Sequence, residues 1–356
     1  MNSLAVFQTS LHDGEVALIF SGVSRHYLSG FRSSDGVLLV TEKSAFLYLD
    51  SRYFEMAQIQ QKKGLISSEV VLRPTPYTPD FKALYEKGKA ERIYLEDGNL
   101  TYRQWNGLGK AYPNSRLLPL EDRITCFRIV KTAEEIRRVA EAQRLAEEAF
   151  SYVLPRLKRG RTEVEIAAEL EWYMKSHGAS GPSFETICVS GSRSSLPHGR
   201  AGNTPIGDGF LTMDFGCVLD GYCSDMTRTV CLGKATEKMR LVYDTVLQAQ
   251  QRALDIIKAG VKCSEVDFAA RDYIERENGF KGCFGHGLGH SLGLEIHEEP
   301  RFSPLCDHIA QPGNILSVEP GIYIEGKFGV RIEDVVIIGE NGYEDITRSP
   351  KHLIIL

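Results

Sequence analysis

Lys158-Arg-Gly160-Arg-Thr162-Glu-Val164-Glu-Ile-Ala167-Ala168 returns about 100 residues later as Lys258-Ala-Gly260-Val-Lys-Cys-Ser264-Glu-Val266-Asp-Phe-Ala269-Ala270. Each copy follows a long helical pattern, stops it at a glycine and restarts it at Thr162 or Ser264, residue types whose side-chain oxygen accepts an orphan N–H of a first helical turn. A period of this length exceeds the roughly 20 to 50 residues of solenoid repeats. It points to a duplicated α+β half. Strand-forming runs follow each helix pair: 184–190, 209–218 and 222–231 in the first half, 314–324 and 329–338 in the second. The economical architecture is a pseudo-symmetric layered domain with helices outside and sheet within. Upstream, Thr132-Ala-Glu-Glu135 reads as a capping box that opens an amphipathic pattern through Ile136, Val139, Ala140, Ala146, Ala149 and Phe150.

Residues 1 to about 122 have another character, that of a mixed α/β unit. Strand-like runs fall at Val16 to Phe20, Gly36 to Val40, Ala45 to Asp50, Val70 to Leu72 and Arg92 to Leu95, and no cluster of His, Cys and carboxylates accompanies them. Such a unit shapes a site or mediates oligomer contacts. Composition shifts at Leu118-Pro-Leu-Glu-Asp122, which places a domain boundary near 120–130. A length of 356 residues allows two domains. The net charge of −5 gives no general reason to bind a polyanion, so nucleic acid is excluded as a partner. No apolar run approaches the ~20 residues of a membrane span, and MNSLAVFQTSLHDGE has neither a basic n-region nor an apolar h-region. The expectation is a cytoplasmic protein that does not engage membranes. Eight scattered cysteines without a Cys-x-x-Cys pair read as reduced, mostly buried thiols with no catalytic part.

The chemistry gathers in the duplicated domain. Phe210-Leu-Thr-Met-Asp214-Phe-Gly-Cys-Val-Leu-Asp-Gly221-Tyr-Cys-Ser-Asp225-Met-Thr-Arg-Thr-Val-Cys231 reads as a hairpin turning at Asp220-Gly221. With a four-residue loop, 218–221, Asp214 stands opposite Asp225, and opposed like charges destabilise a sheet. Either both face water at an edge, or they converge on a divalent cation. Leu316-Ser-Val-Glu319-Pro-Gly-Ile and Gly329-Val-Arg-Ile-Glu333-Asp-Val each set a glutamate within an apolar, β-branched run. Any one of these carboxylates is explained by an ion pair or an edge position. Four of them in the strands of one duplicated domain are not.

Five of the nine histidines fall between 198 and 308, three of them in Gly285-His286-Gly-Leu-Gly-His290-Ser-Leu-Gly-Leu-Glu-Ile-His297-Glu-Glu-Pro300. The flanking glycines argue for backbone pressed against a site. His297-Glu-Glu-Pro300 breaks the His-Glu-x-x-His zinc pattern at the proline, and Leu292 stands where a dinucleotide fingerprint needs glycine. Two aspartates, two glutamates and one histidine make an oxygen-rich set that favours Mn²⁺, with Co²⁺ or Zn²⁺ able to substitute. Four carboxylates balance two dications, and such a pair acidifies water and polarises a carbonyl. These residues therefore indicate a two-metal hydrolase.

The same residues resemble the pita-bread metallopeptidases, the family of methionine aminopeptidase, aminopeptidase P and prolidase. Asp214-Phe-Gly, Gly221-Tyr-x-x-Asp225-x-Thr-Arg-Thr, Gly285-His-Gly-x-Gly-His290 continuing to His297-Glu-x-Pro, Glu319-Pro-Gly-Ile-Tyr and Val330-Arg-Ile-Glu333-Asp are similar to its proline-specific branch. His26-Tyr-Leu-Ser-Gly-Phe-Arg-Ser-Ser-Asp-Gly36 and Asp50-Ser-Arg-Tyr53 resemble the creatinase-type amino-terminal domain of that branch, which methionine aminopeptidase lacks. The resemblance implies an α+β chain with a creatinase-type domain over 1–125 and a pita-bread catalytic domain over 126–356. It implies metal ligation by Asp214, Asp225, His290, Glu319 and Glu333, with Asp225 and Glu333 bridging, and Glu319 as general base.

By the same resemblance His198, His286 and His297 line the site, the last two binding substrate and stabilising the oxyanion. Arg331 orients Glu333 or a neighbouring carboxylate at the substrate site. Arg301 occupies a position similar to one where archaeal prolidases carry an arginine for the substrate's terminal carboxylate, which favours an Xaa-Pro dipeptidase over an aminopeptidase P acting on longer peptides. The implied partners are a small peptide with proline after the scissile bond and a second copy in a homodimer. A metal-free creatinase-like hydrolase and a non-catalytic binding module on the same fold are the alternatives from other classes. Retention of all five ligands weighs against both.

Overall fold

The computed structural model describes residues 3–356. The chain divides into one unit ending at Arg128 and a second, Ile129–Leu356.

The first unit is built on a six-stranded sheet in the order Val70–Pro74, Ala45–Leu49, Val37–Val40, Glu15–Ile19, Arg92–Leu95, Arg116–Pro119. Val37–Val40 pairs antiparallel with both its neighbours, and the other three pairings are parallel. Ala17 and Ile19 join Leu4, Phe7, Leu28 and Ala57 on one face, while Val16 and Leu18 join Phe81, Ile93 and Tyr112 on the other. Because helices cover both faces, the central strand reads as an unbroken apolar run. The sixth strand, Arg116–Pro119, lies in the stretch where the sequence showed only a change of composition. It is an edge strand ending in proline, with side chains half-buried at most, and carries no alternation to detect.

In the second unit the duplication holds, in a different register from the one the residue types indicate. Thr162 caps the helix Glu163–Ser176 with a complete capping box. The matching helix, Cys263–Asp272, begins before Ser264, with Lys262 at the cap position and no side-chain cap. Backbone bridges fix both starts: Thr162 pairs with Pro205 and Lys262 with Ile309. Gly160 N–H donates to Ile206 at 3.0 Å, and Gly260 N–H to Ala310 at 2.9 Å. The equivalent residues are therefore Glu163 with Cys263 and Ile166 with Val266, all buried, whereas Val164 is exposed. Ser264 is not an N-cap, because the loop's own hydrogen bonds had already set where the helix starts.

Strands Ile187–Ser190, Gly209–Phe215 and Met226–Leu232 form an antiparallel sheet in the first half. Gly289–Ser291, Ile315–Val318 and Asp334–Ile338 repeat that order in the second, widened by Glu298–Phe302 and Tyr343–Asp345. Between the second and third strands of each half a hairpin leaves the main sheet: Cys217–Leu219 with Tyr222–Cys223, and Gly321–Ile324 with Phe328–Arg331. The four long runs expected as single strands are thus each cut, and Asp225, Glu319 and Glu333 stand at the cuts. Outside, the helix Ala133–Val153 starts at the expected Thr132 capping box and buries Val139, Ala146, Ala149 and Phe150. Glu237–Leu254 buries Val242, Val246, Ala249 and Ala253 in the corresponding core.

Among the described residues no helix is long and apolar enough to cross a membrane. The eight cysteines are free thiols, six of them buried, as their spacing indicated.

Candidate metal centre

Asp214 is the penultimate residue of Gly209–Phe215, and Asp225 immediately precedes Met226–Leu232. The hairpin between them turns on two residues rather than four: Leu219 pairs with Tyr222, and Asp220 (φ 48°) and Gly221 (φ 87°) take the left-handed conformation of a tight turn. Asp214 consequently faces Thr227, and Asp225 is its diagonal neighbour on the same face. The direct opposition of the two aspartates is corrected, while their proximity stays. Gly216 lets the strand bend here, since a Cβ on it would lie 1.9 Å from the Ser224 carbonyl oxygen. In the second half Val318 pairs with Asp334, so the next residues outward are Glu319 and Glu333, at the same end of the sheet as the aspartates of the first. Glu333 N–H donates to the Thr227 carbonyl at 3.2 Å, which joins the two halves at the centre.

His290 sits in the middle of Gly289–Ser291, where a Cβ on Gly289 would lie 1.9 Å from the Ser317 carbonyl oxygen. Its Nδ1 stands 3.2 Å from the Ser291 carbonyl, a group that only accepts, so Nδ1 carries the proton. The Nε2 lone pair is left 3.6 Å from Asp225 Oδ2 and 3.5 Å from Glu319 Oε1. Burial, with help from His297, lowers the His290 pKa to about 3, so the ring is neutral at pH 7.

Burial and the neighbouring charges of Glu333, Asp214 and Glu319 push the Asp225 carboxyl well above the usual range. Burial, then Glu319 and Asp214, does the same to Glu333. Glu319 is pushed up to about 8 by burial, against the pull of Arg331. Burial also disfavours the Arg331 charge, but Tyr323, Asp214 and Glu319 outweigh it and hold the guanidinium ionised. Arg331 Nη2 donates to Asp214 Oδ2 at 2.5 Å, leaving Asp214 Oδ1 without a partner; Glu333 Oε1 is likewise orphaned. Donor atoms of Asp225, His290 and Glu333 lie within 4.8 Å of one another. Three buried carboxylates and the half-buried Glu319, facing one guanidinium and a neutral imidazole, are costly as they stand. Orphaned carboxylate oxygens beside a free imidazole lone pair fit hard or borderline divalent cations.

A cleft of ≈ 630 Å³ opens over this centre, and all ten residues singled out from the sequence line it: Asp214, Asp225, His290, Glu319, Glu333, His198, His286, His297, Arg301 and Arg331. Their situations differ. His198 and His297 are exposed to the cleft. His286 is fully engaged: Nδ1 meets the Gly287 carbonyl at 2.8 Å, and Nε2 meets the Tyr323 hydroxyl at 3.0 Å. Since a carbonyl only accepts, Nδ1 is the protonated nitrogen and Nε2 accepts from Tyr323. Burial lowers its pKa to about 4. His286 therefore has no N–H left for an oxyanion. Arg331 is buried, and it donates to Thr227, Pro197, Tyr323 and Asp214. It supports Asp214, a neighbouring carboxylate, rather than Glu333, and its guanidinium is engaged by protein partners in the cleft wall. Arg301 pairs with His290 across the sheet, is half-exposed and has Glu299 at 3.2 Å.

Sequence reasoning passed over four supports of the centre. Thr227 donates to Glu333 Oε2 at 2.8 Å, and Ser317 to Glu319 Oε1 at 3.2 Å. Tyr323 links His286 to Arg331. Gln143, buried on Ala133–Val153, donates to the Asp225 carbonyl at 2.9 Å and accepts from its N–H at 3.1 Å. Thr227 and Tyr323 lay inside quoted motifs, and their position two and four residues from a carboxylate was the available signal. Gln143 had none.

A duplicated frame that draws acidic groups from both halves into one buried pocket defines a class, that of metal-dependent hydrolases with pita-bread architecture. The chain belongs to metallopeptidase family M24, whose model matches residues 137–340, and residues 11–130 match the creatinase/prolidase N-terminal domain. It is 36% identical over 334 residues to the Xaa-Pro dipeptidase of Pyrococcus furiosus, covering 93% of each chain. Among solved structures it resembles an Xaa-Pro dipeptidase from Bacillus anthracis, with a TM-score of 0.91, 37% identity and coverage of 99% of this chain and 98% of that one. It also resembles an X-Pro aminopeptidase from Thermotoga maritima, with a TM-score of 0.90, 34% identity and coverage of 99% and 100%. The chain is thus a peptidase of the prolidase type, with a creatinase-type domain preceding a pita-bread domain.

Proposed function

We propose that this peptidase cleaves the bond preceding proline and acts first on Xaa-Pro dipeptides, using two divalent cations, Mn²⁺ ahead of Co²⁺ or Zn²⁺. One observation carries the reading: four carboxylates, two from each half and all but the half-buried Glu319 buried, share a pocket with orphaned oxygens on Asp214 and Glu333. Asp214, Asp225, His290, Glu319 and Glu333 would hold the cations, which supply charge compensation, an acidified water and polarisation of the scissile carbonyl. Glu319, steadied by Ser317 and set in the cleft wall, takes the proton of the attacking water and passes it to the leaving nitrogen. His297 and His198 face the cleft and offer N–H groups to the carbonyl oxygen as charge develops on it. His286 acts through the Tyr323 hydroxyl that it orients.

Phe184, Ile187, Pro197 and Ile296 give the cleft an apolar wall suited to a proline ring. Arg301, in the same wall, offers a guanidinium fork to a terminal carboxylate one residue beyond the scissile bond. That geometry favours a dipeptide. The likeness to an X-Pro aminopeptidase supports the second reading, hydrolysis of longer Xaa-Pro peptides. The family likeness also carries the expectation of a homodimer.

Assays of a Xaa-Pro dipeptide against a Xaa-Pro-Xaa tripeptide in Mn²⁺, Co²⁺ and Zn²⁺ test the proposal. The dipeptide should be preferred, and Arg301→Ala should raise its KM by about tenfold or more, the loss of one charge-assisted contact, with kcat little changed. Faster tripeptide cleavage shifts the assignment to the aminopeptidase. No hydrolysis of either peptide with any of the metals rejects the peptidase reading.

A further inference from the structure

The stretch that delivers His286, Phe284 to Leu288, has no regular secondary structure and carries Gly285 and Gly287. Glycine imposes little conformational preference of its own. The shape comes from the helix Cys263–Asp272. Asp267, buried, accepts from Leu288 N–H at 2.9 Å through Oδ1. It is also paired with Arg271 one turn on, Oδ2 to Nε at 2.8 Å and Oδ1 to Nη2 at 3.0 Å. Arg271 then reaches over the same stretch, donating from Nη1 to the Phe284 carbonyl at 2.8 Å and from Nη2 to the His286 carbonyl at 2.7 Å. Its guanidinium carbon lies 4.3 Å from the centre of the Phe284 ring, and that ring meets His286 edge-on at 5.0 Å. Leu288 in turn accepts the Glu319 N–H at 2.8 Å. One acid–base pair thus holds three backbone groups around His286 and, one hydrogen bond further, the backbone of Glu319. Neither Asp267 nor Arg271 is among the residues that line the cleft.

We propose that Asp267 and Arg271 are positioning residues for the peptidase reaction, fixing the His286 imidazole against Tyr323 and the backbone that carries Glu319. The proposal rests on the peptidase reading for its kinetic consequence and on the geometry alone for its structural one. Closing the pair with the buried Asp267 one turn away is only part of what Arg271 does. Its two carbonyl bonds have no bearing on the helix at all.

The test uses the full chain with Mn²⁺ and a Xaa-Pro dipeptide, comparing Arg271→Gln, Arg271→Lys and His286→Ala singly and combined. Arg271→Gln should lower kcat by about 10- to 100-fold, the scale of a small misplacement of reacting groups, with bound metal and KM nearly unchanged. In the His286→Ala background the same change should cost several-fold less, the remainder being what passes through Leu288 to the Glu319 backbone. An equal loss in both backgrounds overturns the proposal. Arg271→Lys keeps the charge beside Asp267 without the fork, and it carries the same cycle if the glutamine variant fails to fold.

Amide exchange of 284–290 and 315–320 supplies a readout independent of activity. Asp267→Asn should speed exchange in both segments, and unaltered exchange overturns the proposal. If the unaltered chain shows no hydrolysis with any of the metals, the peptidase reading fails while the exchange result still decides the positioning claim.

Discussion

The two halves of the second unit share a frame and differ in what they bring to the cleft. Each runs helix, glycine turn, helix and three antiparallel strands, with a hairpin between the second and third and a carboxylate at either foot of that hairpin. In the first half Ile187 pairs with Asp214 and Val189 with Thr212. In the second the Leu288 carbonyl accepts from Glu319, and His290 N–H donates to Ser317 at 3.0 Å. Val189 and His290 therefore occupy matching places. Beside its carboxylates the first half contributes Thr227, most of the apolar wall and His198. The second contributes His286, His290, His297, Arg301, Tyr323 and Arg331.

Balancing two dications takes negative charge from both sides, which a duplicated frame supplies without further change. A scissile bond needs its proton-handling groups once, and all but one of the groups proposed for that task stand in one half. Duplication explains the charge of this site; divergence of a single half explains its chemistry.

The largest expected effects test the symmetric part. Asp225→Ala and Glu333→Ala, one from each half, should each lower metal-dependent activity by roughly 10³-fold or more, the loss of several kcal/mol of charge stabilisation. A rate kept in one variant only would break the equivalence of the halves. Metal removal should reverse the sign for stability. Asp225 is held well above the usual carboxylate range by burial and by Glu333, Asp214 and Glu319, so in chelated protein it opposes folding at neutral pH. Asp225→Asn should then raise the thermal midpoint of the metal-free chain by a few degrees, since about 1 kcal/mol moves a unit of this size by ~2–4 °C. With Mn²⁺ present it should lower the midpoint. Scanning calorimetry with and without chelator distinguishes the two.

A smaller effect compares the hydroxyls that each half sets behind a carboxylate. Thr227 reaches Glu333 at 2.8 Å and also accepts from Arg331 Nε at 3.1 Å; Ser317 reaches Glu319 at 3.2 Å. Supports of this kind are worth about 10- to 100-fold in metal affinity. Thr227→Val should fall at the upper end and Ser317→Ala at the lower, measured by Mn²⁺ titration. The reverse order would mean that the first half's strand is the less important scaffold.

What the sequence revealed and what it hid follow the same division. Asp214, Asp225, Glu319 and Glu333 were legible because a charge inside an apolar strand pattern is a local anomaly, and the histidines because glycines flank them. The hairpin turn was legible at Asp220-Gly221, but its register was not. Without the left-handed φ at Asp220 in view, a four-residue loop is equally compatible with the pattern.

The three-residue strand Gly289–Ser291 carried no signal, and the cuts at 224–225, 319–320 and 332–333 show in residue types only as Pro320. Gln143, Asp267 and Arg271 were invisible for a different reason. Their meaning lies in contacts with backbone 13 to 82 residues away, and backbone has no residue type to read.

The smallest expected effect bears on the clearest misreading, the equation of Ser264 with Thr162. Thr162 accepts the Glu165 N–H at 3.3 Å, and the Glu165 side chain accepts the Thr162 N–H at 2.7 Å, so removing its hydroxyl leaves a first-turn donor unsatisfied. Thr162→Ala should cost about 1 kcal/mol, the usual worth of an N-cap. Ser264 lies inside the first turn of its helix and caps nothing, while the Cys263 N–H is taken by the His308 carbonyl at 2.9 Å and that of Glu265 by Lys262 at the same distance. Ser264→Ala should therefore stay within about 0.5 kcal/mol of the unaltered chain. Urea midpoints of the two variants measure both. Equal losses would restore the register read from residue types and undo the matching of Glu163 with Cys263. The expected inequality places the start of the second helix where the loop's backbone bonds put it.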